Sequence, residues 1–291
     1  MMNDTILPLK YGFGCDKMTG ILVINHFLKG EKFDLLHRHL ARSAAAQGIE
    51  LKIKTNLEMR TETGVSADFI LFWDKDVNLA SALQHAGLPV FNSARSIALC
   101  DDKAKTHQAL LGSVLQPETM VAPMTFFEDS DFSPFIDAAV EKLGFPLVFK
   151  ECYGSFGAQV FLCKTKEEIK SRITSRPFLL QKFIASSSGH DIRLEIVDGV
   201  CAAAMERSNP NDFRANITNG GSMKKYTPTQ GEINIAVSAA EKLGLLFGGV
   251  DILDGGVLCE VNSNAHIMNI MDCTGVDIAP LIFKSIKEKI Q

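Results

Sequence analysis

Three oxygen-bearing side chains lie within one short segment, which reads D-I-L-D-G-G-V-L-C-E-V-N over residues 251–262. Two apolar runs flank an Asp-Gly-Gly sequence, a pattern typical of a β-hairpin. If the two glycines form a two-residue turn, Asp251 pairs with Glu260, and the period-two alternation of a strand places Asn262 on the same face. The segment therefore predicts two carboxylates and one amide side by side on a strand pair.

Carboxylates at this density on an otherwise apolar hairpin would repel each other and resist ionisation. A hard cation removes this difficulty, and two carboxylates with an amide suit Mg²⁺ that keeps coordination positions for phosphate and water. The alternative is a hairpin whose acidic side chains face solvent. This segment alone leaves both interpretations open.

A glycine-rich loop forms a second candidate site. Lys150 ends an apolar strand, and a G-S-F-G sequence that includes Gly154, Ser155 and Gly157 follows it. Such a loop can present backbone N–H groups to phosphate oxygens, and a lysine adds a flexible positive charge. An ordinary connection between two strands could also contain two glycines, so the loop by itself is a weak signal.

Three arginines and one asparagine precede the acidic hairpin: Arg193, Arg207, Arg214 and Asn216. Guanidinium groups bind carboxylate and phosphate through paired hydrogen bonds. Each arginine taken separately could be a surface charge. Three arginines close in sequence to the predicted metal hairpin favour an anion site.

The composition excludes several classes of protein. The chain has 291 residues, 46% of them hydrophobic, with a net charge of -4 from 30 Lys+Arg and 34 Asp+Glu. This balance predicts neither a nucleic-acid nor a membrane partner. The first 17 residues lack the charged start and apolar run expected of a secretion signal, and we expect no membrane span. None of the seven cysteines has the spacing of a zinc or redox pair. We therefore expect reduced thiols and a cytoplasmic protein.

Hydrophobic periodicity predicts alternating strands and helices in the first hundred residues, hence a parallel sheet. The predicted strands are 21–25, 51–54, 69–73, 88–91, 146–150, 159–163, 178–184, 192–197 and 200–205, besides the acidic hairpin. The predicted helices are 33–47, 79–86, 101–111, 135–143, 164–173, 230–243 and 278–290. A linker is expected between Pro117 and Ser133. No G-x-G-x-x-G follows the first strand, which argues against dinucleotide binding there.

Eight short motifs occur in an order that resembles the ATP-grasp carboxylate–amine ligases, in particular their RimK-like branch. They are Lys103, Lys150 with its glycine loop, Q-K-F-I at 181–184, G-H-D-I-R at 189–193, D-F-R-A-N at 212–216 with a Gly-Gly pair at 220–221, G-V-D-I-L at 249–253, E-V-N at 260–262 and T-G-V-D-I-A at 274–279.

The resemblance implies an α/β (α+β) chain, an ATP-grasp fold with an N-terminal Rossmann-like pre-ATP-grasp domain. The implied division is an N-terminal extension at 1–17, the pre-ATP-grasp domain at 18–100, a central lobe at 101–181 and a C-terminal lobe with the metal site at 182–291.

The resemblance also implies a role for each matched residue. The ATP phosphates would be bound by Lys103 and Lys150, with the loop that contains Gly154, Ser155 and Gly157 folded over them, and by Arg214 and Asn216, which would hold phosphate or substrate. Adenine would be bound by Gln181, Lys182, Phe183 and Ile184. The ribose would be bound by Asp191. Arg207 and Arg193 would act in catalysis on the acyl-phosphate oxygens. Asp251, Glu260 and Asn262 would bind two Mg²⁺ ions, with Mn²⁺ as an alternative.

The implied reaction is ATP- and Mg²⁺-dependent formation of an amide through an acyl phosphate. Its substrates would be a small-molecule or peptide carboxylate and an amine such as glutamate or another amino acid, and a homo-oligomer is consistent with the family. Two alternatives stay open: a phosphotransferase, and a nucleotide-binding module without turnover. The chain departs from the family at Asn264-Ala265-His266, where Pro-Gly is common, and at Lys182, where an acidic residue is usual.

Overall fold

The computed structural model describes residues 17–127, 129–155, 157–217 and 220–290. The predicted N-terminal extension, apart from Lys17, lies outside these ranges, as does Phe156 of the glycine loop. The described residues form two sheets of four strands and one of five. Across the same ranges, no helix is both long and apolar enough to cross a membrane.

The N-terminal sheet is parallel, as the alternation of strands and helices predicted, with the order β2-β1-β3-β4. All five residues of its strand at 69–73 are buried, because apolar side chains cover both faces of the sheet. Its elements are β1 (Thr19–Ile24), α1 (Glu31–Ala46), β2 (Glu50–Thr55), α2 (Asn56–Thr61), β3 (Phe69–Trp73), α3 (Val77–His85) and β4 (Val90–Phe91). Helix α2, which was not predicted, begins at a capping box formed by Thr55 and Glu58.

Two helices, α4 (Ala94–Asp101) and α5 (Lys103–Ala109), connect the N-terminal sheet to the rest of the chain. The sequence predicted a single helix that opens at Asp101, and this prediction is wrong. Asp102 has extended backbone angles, and its carboxylate accepts hydrogen bonds from the backbone N–H groups of Ala104 and Lys105. Asp102 is thus the N-cap of α5, and the chain changes direction there.

The central sheet is antiparallel, with the order β5-β8-β6-β7. Its elements are β5 (Thr119–Val121), α6 (Ser133–Leu143), β6 (Leu147–Glu151), β7 (Val160–Cys163), α7 (Lys166–Lys170) and β8 (Phe178–Lys182), followed by a 3₁₀ turn at Ala185–Ser187. Helix α6 covers one face of the sheet through Ile136 and Ala139. The strand β5 lies where only a linker was expected, because three residues are too few for a periodic signal.

The C-terminal sheet is also antiparallel, with the order β11-β10-β9-β12-β13. Its elements are β9 (His190–Val197), β10 (Val200–Ser208), β11 (Ser222–Lys225), α8 (Gln230–Leu243), β12 (Phe247–Leu253), β13 (Val257–Asn262), α9 (Ile267–Thr274) and α10 (Ala279–Ile290). Helix α8 packs its buried alanines on one face of β9 and β12. The other face is therefore free to carry polar side chains. Strand β11 and helix α9 were not predicted.

The acidic hairpin formed by β12 and β13 pairs Asp251 with Glu260, as predicted. The predicted two-residue turn is wrong, because Leu253 pairs with Val257 and the loop contains three residues. Two of them, Gly255 and Gly256, have φ angles of 75° and 72°, which favour glycine. A bulge at residue 259 then restores the pairing of the two carboxylates.

Asn92 joins the N-terminal sheet to the C-terminal sheet. It is 1% exposed, and its Nδ2 donates to the carbonyl oxygens of Phe247 and Ser263, each at 2.8 Å. Its Oδ1 accepts from the backbone N–H of Leu246, also at 2.8 Å. Beside it, the rings of Trp73 and Phe247 stack at a centroid distance of 5.1 Å. The N–H of Phe247 also lies 3.4 Å from Oδ1, so one amide has four backbone partners at the junction.

We expect Asn92→Ala to lower the free energy of unfolding by about 2–4 kcal/mol, because it leaves buried backbone groups without partners. Denaturant unfolding measures the change. The control is Asn78→Ala at an exposed position of α3, where we expect a change below about 0.5 kcal/mol. Equal effects of the two substitutions would show that the Asn92 hydrogen bonds do not stabilise the junction.

Candidate active site

A cleft lies between the central and C-terminal sheets and contains about 740 Å³ of empty space, including the part open to solvent. Most of the predicted site residues line it: Lys103, Lys150, Gly157, Gln181, Lys182, Phe183, Ile184, Asp191, Arg207, Arg214, Asn216, Asp251 and Glu260. Gly154, Ser155, Arg193 and Asn262 do not line the cleft. The tertiary structure thus brings together residues from sequence positions 103 to 260.

Two lysines make one end of the cleft positive. Lys150, on β6, is 8% exposed. Lys103 is the first residue of α5, and its Nζ lies 3.4 Å from the carbonyl oxygen of Gly154 and 3.8 Å from Glu260 Oε1. Lys103 therefore connects the glycine loop with the acidic hairpin.

The glycine loop is held from the C-terminal sheet by Arg214, whose Nη1 donates to the carbonyl oxygen of Gly157 at 2.6 Å. Asp212 orients the same guanidinium, with Nη2 2.6 Å from its Oδ2. Gly157 has a φ of 72°, and a Cβ there would lie 3.0 Å from Asn216 Oδ1. The close approach of loop and asparagine therefore requires glycine at this position.

Four charged side chains form a buried network. Asp191, Arg207 and Asp251 line the cleft, and Arg193 does not. Arg193 donates to Asp251 through Nε and Nη2, both at 2.7 Å. Arg207 donates to Asp191 through Nε and Nη2, both at 2.6 Å, and its Nη2 is also 2.9 Å from Asp251 Oδ2. Asp251 thus bridges two arginines, and neither Arg193 nor Arg207 is a surface charge.

The network strongly affects the ionisation of its carboxylates. Burial by itself would raise the pKa of Asp251, but the charges of Arg193 and Arg207 outweigh it and lower this pKa to about 2. Glu195 lies on the same face of β9 and is 1% exposed. Here the effect of burial on the pKa is larger than the effect of the nearby positive charges. Burial raises the pKa of Glu195 to about 7, despite the nearby charge of Arg193.

Glu195 was not among the predicted site residues. The signal that could have found it is strand alternation, since Asp191, Arg193 and Glu195 are two residues apart in β9. The glutamate fits because its neighbour on β12 is Gly249. A Cβ at that position would lie 3.1 Å from Glu195 Oε1.

The predicted metal ligands lie on adjacent strands. Among the described residues no three His, Cys, Asp or Glu side chains form a metal-binding group, so a site here depends on the amide of Asn262. The Nδ2 of Asn262 is buried and has no hydrogen-bond partner. This NH₂ group is a donor and would face an acceptor, such as an oxygen of a bound phosphate, whereas only the Oδ1 of Asn262 could ligate a cation beside Asp251 and Glu260.

The opposite end of the cleft is apolar. Val148, Phe183, Ile184 and Leu253 line it together with the side chain of Gln181. Lys182 points out to Glu118, at 3.4 Å, and half of its side chain is exposed. Apolar side chains with a few polar groups among them are the usual lining of a small-molecule site.

The chain matches the RimK-like ATP-grasp domain over residues 100–286. An uncharacterized protein of Mycoplasma pneumoniae is 30% identical over 226 residues, which are 74% of this chain and 78% of that protein. A probable α-L-glutamate ligase of Mannheimia succiniciproducens is 33% identical over 212 residues, 70% of this chain and 69% of that protein.

Solved structures share the fold. A RimK domain ATP-grasp protein of Sphaerobacter thermophilus superposes with a TM-score of 0.68 and 21% identity, and the match covers 91% of this chain and 98% of that one. The predicted fold class, an α/β chain with an ATP-grasp fold, is thereby confirmed.

The pKa of Glu195 generates a pH-dependent prediction. Between pH 4.5 and about 7 the folded protein keeps a proton on Glu195 that the unfolded chain has released, so the stability of the native protein falls as the pH rises. The Glu195→Gln variant has no carboxyl group at this position, so its stability does not fall with rising pH for this reason. We expect the stability of the variant relative to the native protein to increase by about 2 kcal/mol from pH 5 to pH 8.

Urea unfolding at the two pH values measures this difference. Glu141→Gln, at an exposed position of α6, is the control and should show no change between them. A Glu195→Gln effect that is the same at pH 5 and pH 8 would show that the buried carboxyl has an ordinary pKa.

Proposed function

The chain belongs to the RimK-like ATP-grasp family, and we propose that it joins a carboxylate to the amine of an amino acid, with cleavage of ATP to ADP and phosphate. The observation that carries this proposal is the cleft itself. It has an apolar end for a nucleobase, a lysine-rich end for phosphates, and an acidic hairpin beside the lysines. The family and its ligase relatives make the protein an ATP-dependent ligase that forms C–N bonds.

In this proposal, adenine lies between the apolar side chains near Gln181 and Ile184. The triphosphate extends toward Lys103 and Lys150, which neutralise its charge. The loop that contains Gly154, Ser155 and Gly157 covers the phosphates with backbone N–H groups. Arg214 and Asn216 support this loop from the other side of the cleft.

Mg²⁺ would be held by Asp251, Glu260 and Asn262. When bound there, it supplies positive charge that stabilises the transferring phosphoryl group. Asp251 accepts hydrogen bonds from two arginines yet keeps one lone pair on its Oδ1, which accepts only from Arg193 Nε among the described residues. The low pKa of Asp251 keeps it ionised for this role.

The reaction proceeds in two displacements. A carboxylate oxygen of the substrate attacks the γ-phosphorus, the bond to the β,γ-bridging oxygen breaks, and ADP leaves. The amine nitrogen then attacks the carbonyl carbon of the acyl phosphate, phosphate leaves with the bonding electrons, and the nitrogen loses a proton. The protein contributes orientation and charge, and no covalent intermediate with the chain is required.

Arg207 is the proposed clamp for the acyl-phosphate oxygens. Its Nε and Nη2 are held by Asp191 and Asp251, whereas its Nη1 donates to none of the described residues. The two carboxylates therefore fix the guanidinium plane and leave Nη1, with its two N–H donors, for a ligand. Arg193, which lies behind Asp251, would act by positioning that carboxylate.

Glutamate is the first candidate for the amine, because the Mannheimia relative is named a probable α-L-glutamate ligase. The loop at Asn264-Ala265-His266 would contact it. His266 Nδ1 is buried without a hydrogen-bond partner, and burial lowers the pKa of this imidazole. A neutral imidazole of this kind can accept a hydrogen bond from an ammonium or amine.

The test is a screen of ADP release and product mass over pairs of carboxylates and amino acids. A ligase releases ADP and forms an amide only when both substrates are present. A phosphorylated product that forms in stoichiometric amount without an amine would favour the phosphotransferase. Nucleotide binding without ADP release for any pair would favour the non-catalytic module.

We expect Glu260→Gln to lower kcat by at least about 100-fold and to raise the Mg²⁺ concentration needed for half-maximal ADP release, since it removes a negative ligand. A Mg²⁺ titration of ADP release measures both effects. Glu241→Gln, at an exposed position of α8, is the matched control and should behave like the native enzyme. A folded Glu260→Gln protein with normal Mg²⁺ dependence would remove this glutamate from the metal site.

A further inference from the structure

Strand β5 lies at the edge of the central sheet and places Thr119 directly opposite Gln181 of β8. Phe178 and Leu180 of β8 point into the core under α6, so Gln181 points to the other face, toward the cleft that it lines. It is 8% exposed. A buried amide therefore lies at the nucleobase end of the cleft, with Thr119 beside it.

A chain of two hydrogen bonds fixes the orientation of this amide. Thr119 Oγ1 lies 2.8 Å from the carbonyl oxygen of Pro117, which can only accept, so the single hydroxyl proton is donated there. The Thr119 oxygen is then left as an acceptor. It accepts from Gln181 Nε2 at 2.8 Å. The opposite orientation of the amide would place two acceptors against each other.

The second polar atom of the amide, Gln181 Oε1, accepts no hydrogen bond from any residue that the structure describes. Oε1 is not a fully enclosed atom, and it can accept a hydrogen bond from a molecule bound in the cleft that Gln181 lines. The adjoining space is the apolar end of the cleft, between Val148 and Leu253. A donor at the edge of a planar ring bound there would satisfy Oε1.

We propose that Thr119 is a specificity-determining residue, which orients the Gln181 amide so that the cleft selects a purine with an amino group at position 6. The inference deepens the proposed function and rests on it, because it requires ATP in this cleft. Adenine donates from its 6-amino group to Oε1. A purine with a carbonyl oxygen at that position presents an acceptor to an acceptor and is rejected. Thr119 acts through Gln181 and is a positioning residue.

The test compares the binding of ATP with that of inosine triphosphate (ITP), whose base carries a carbonyl in place of the 6-amino group. Calorimetric titration with Mg²⁺ present gives Kd for both nucleotides and does not depend on turnover. We expect the native protein to prefer ATP by at least about tenfold. Thr119→Ser keeps the hydroxyl and should keep this ratio.

Thr119→Val has nearly the same shape but cannot accept from Gln181, so the amide can turn and donate to a carbonyl. We expect its ATP-to-ITP preference to fall to about threefold or less, chiefly through tighter ITP binding. Gln181→Met, which lacks the amide, should also lose the preference and provides a second test if Thr119→Val folds poorly.

If Thr119→Val binds both nucleotides more weakly by the same factor and keeps the native ratio of the two Kd values, the inference is overturned, because Thr119 would then have only a structural role. A native protein that binds ATP and ITP equally would overturn it as well, while the proposed function would stand. A native protein that binds neither nucleotide would remove both the proposed function and the inference.

Discussion

The pairing of two arginines with two aspartates across three adjacent strands is the interaction on which the cleft depends. Arg207 lies opposite Asp191, Arg193 lies opposite Asp251, and Asp251 lies opposite Glu260. A slip of one residue in any of these strands would bury charges without partners, at a cost of several kcal/mol. The ion network and the strand register therefore specify each other.

The network is also nearly neutral, and this explains how so many ionisable groups are buried together. The two arginine charges offset those of Asp191 and Asp251. Glu195, the fifth buried group, lies next to them with its pKa raised to about 7, so near neutral pH its charge is only partly developed. Glu260, whose side chain is 34% exposed, is more accessible than the network, as a group that meets a charged ligand must be.

Each side of the cleft belongs to a different part of the fold. Lys150 comes from the central sheet, Lys103 from the helix that joins it to the N-terminal sheet, and Arg214 from the loop after β10. Asn92 holds the N-terminal sheet against the strand that carries Asp251. The geometry of the site thus depends on contacts far from it.

The sequence by itself determined the elements with strong periodicity, such as β3 and α8, and the pairing of Asp251 with Glu260. It also identified most residues that line the cleft, since the motif order carries the family resemblance. It could not determine short elements such as β5 and α9, because they contain too few residues for a clear periodic signal. It also missed the break at Asp102, whose cue is a side-chain hydrogen bond to the backbone.

Only the tertiary structure determined which charged side chains contact each other. Whether Arg193 binds a ligand or an aspartate of its own chain depends on the strand beside it, and strand order is a long-range property that local periodicity does not encode. The same holds for Glu195, whose pKa depends on burial, and for Gln181, whose amide is oriented by a threonine 62 residues away. Local pattern sets the residue types, whereas packing sets their partners and therefore their chemistry.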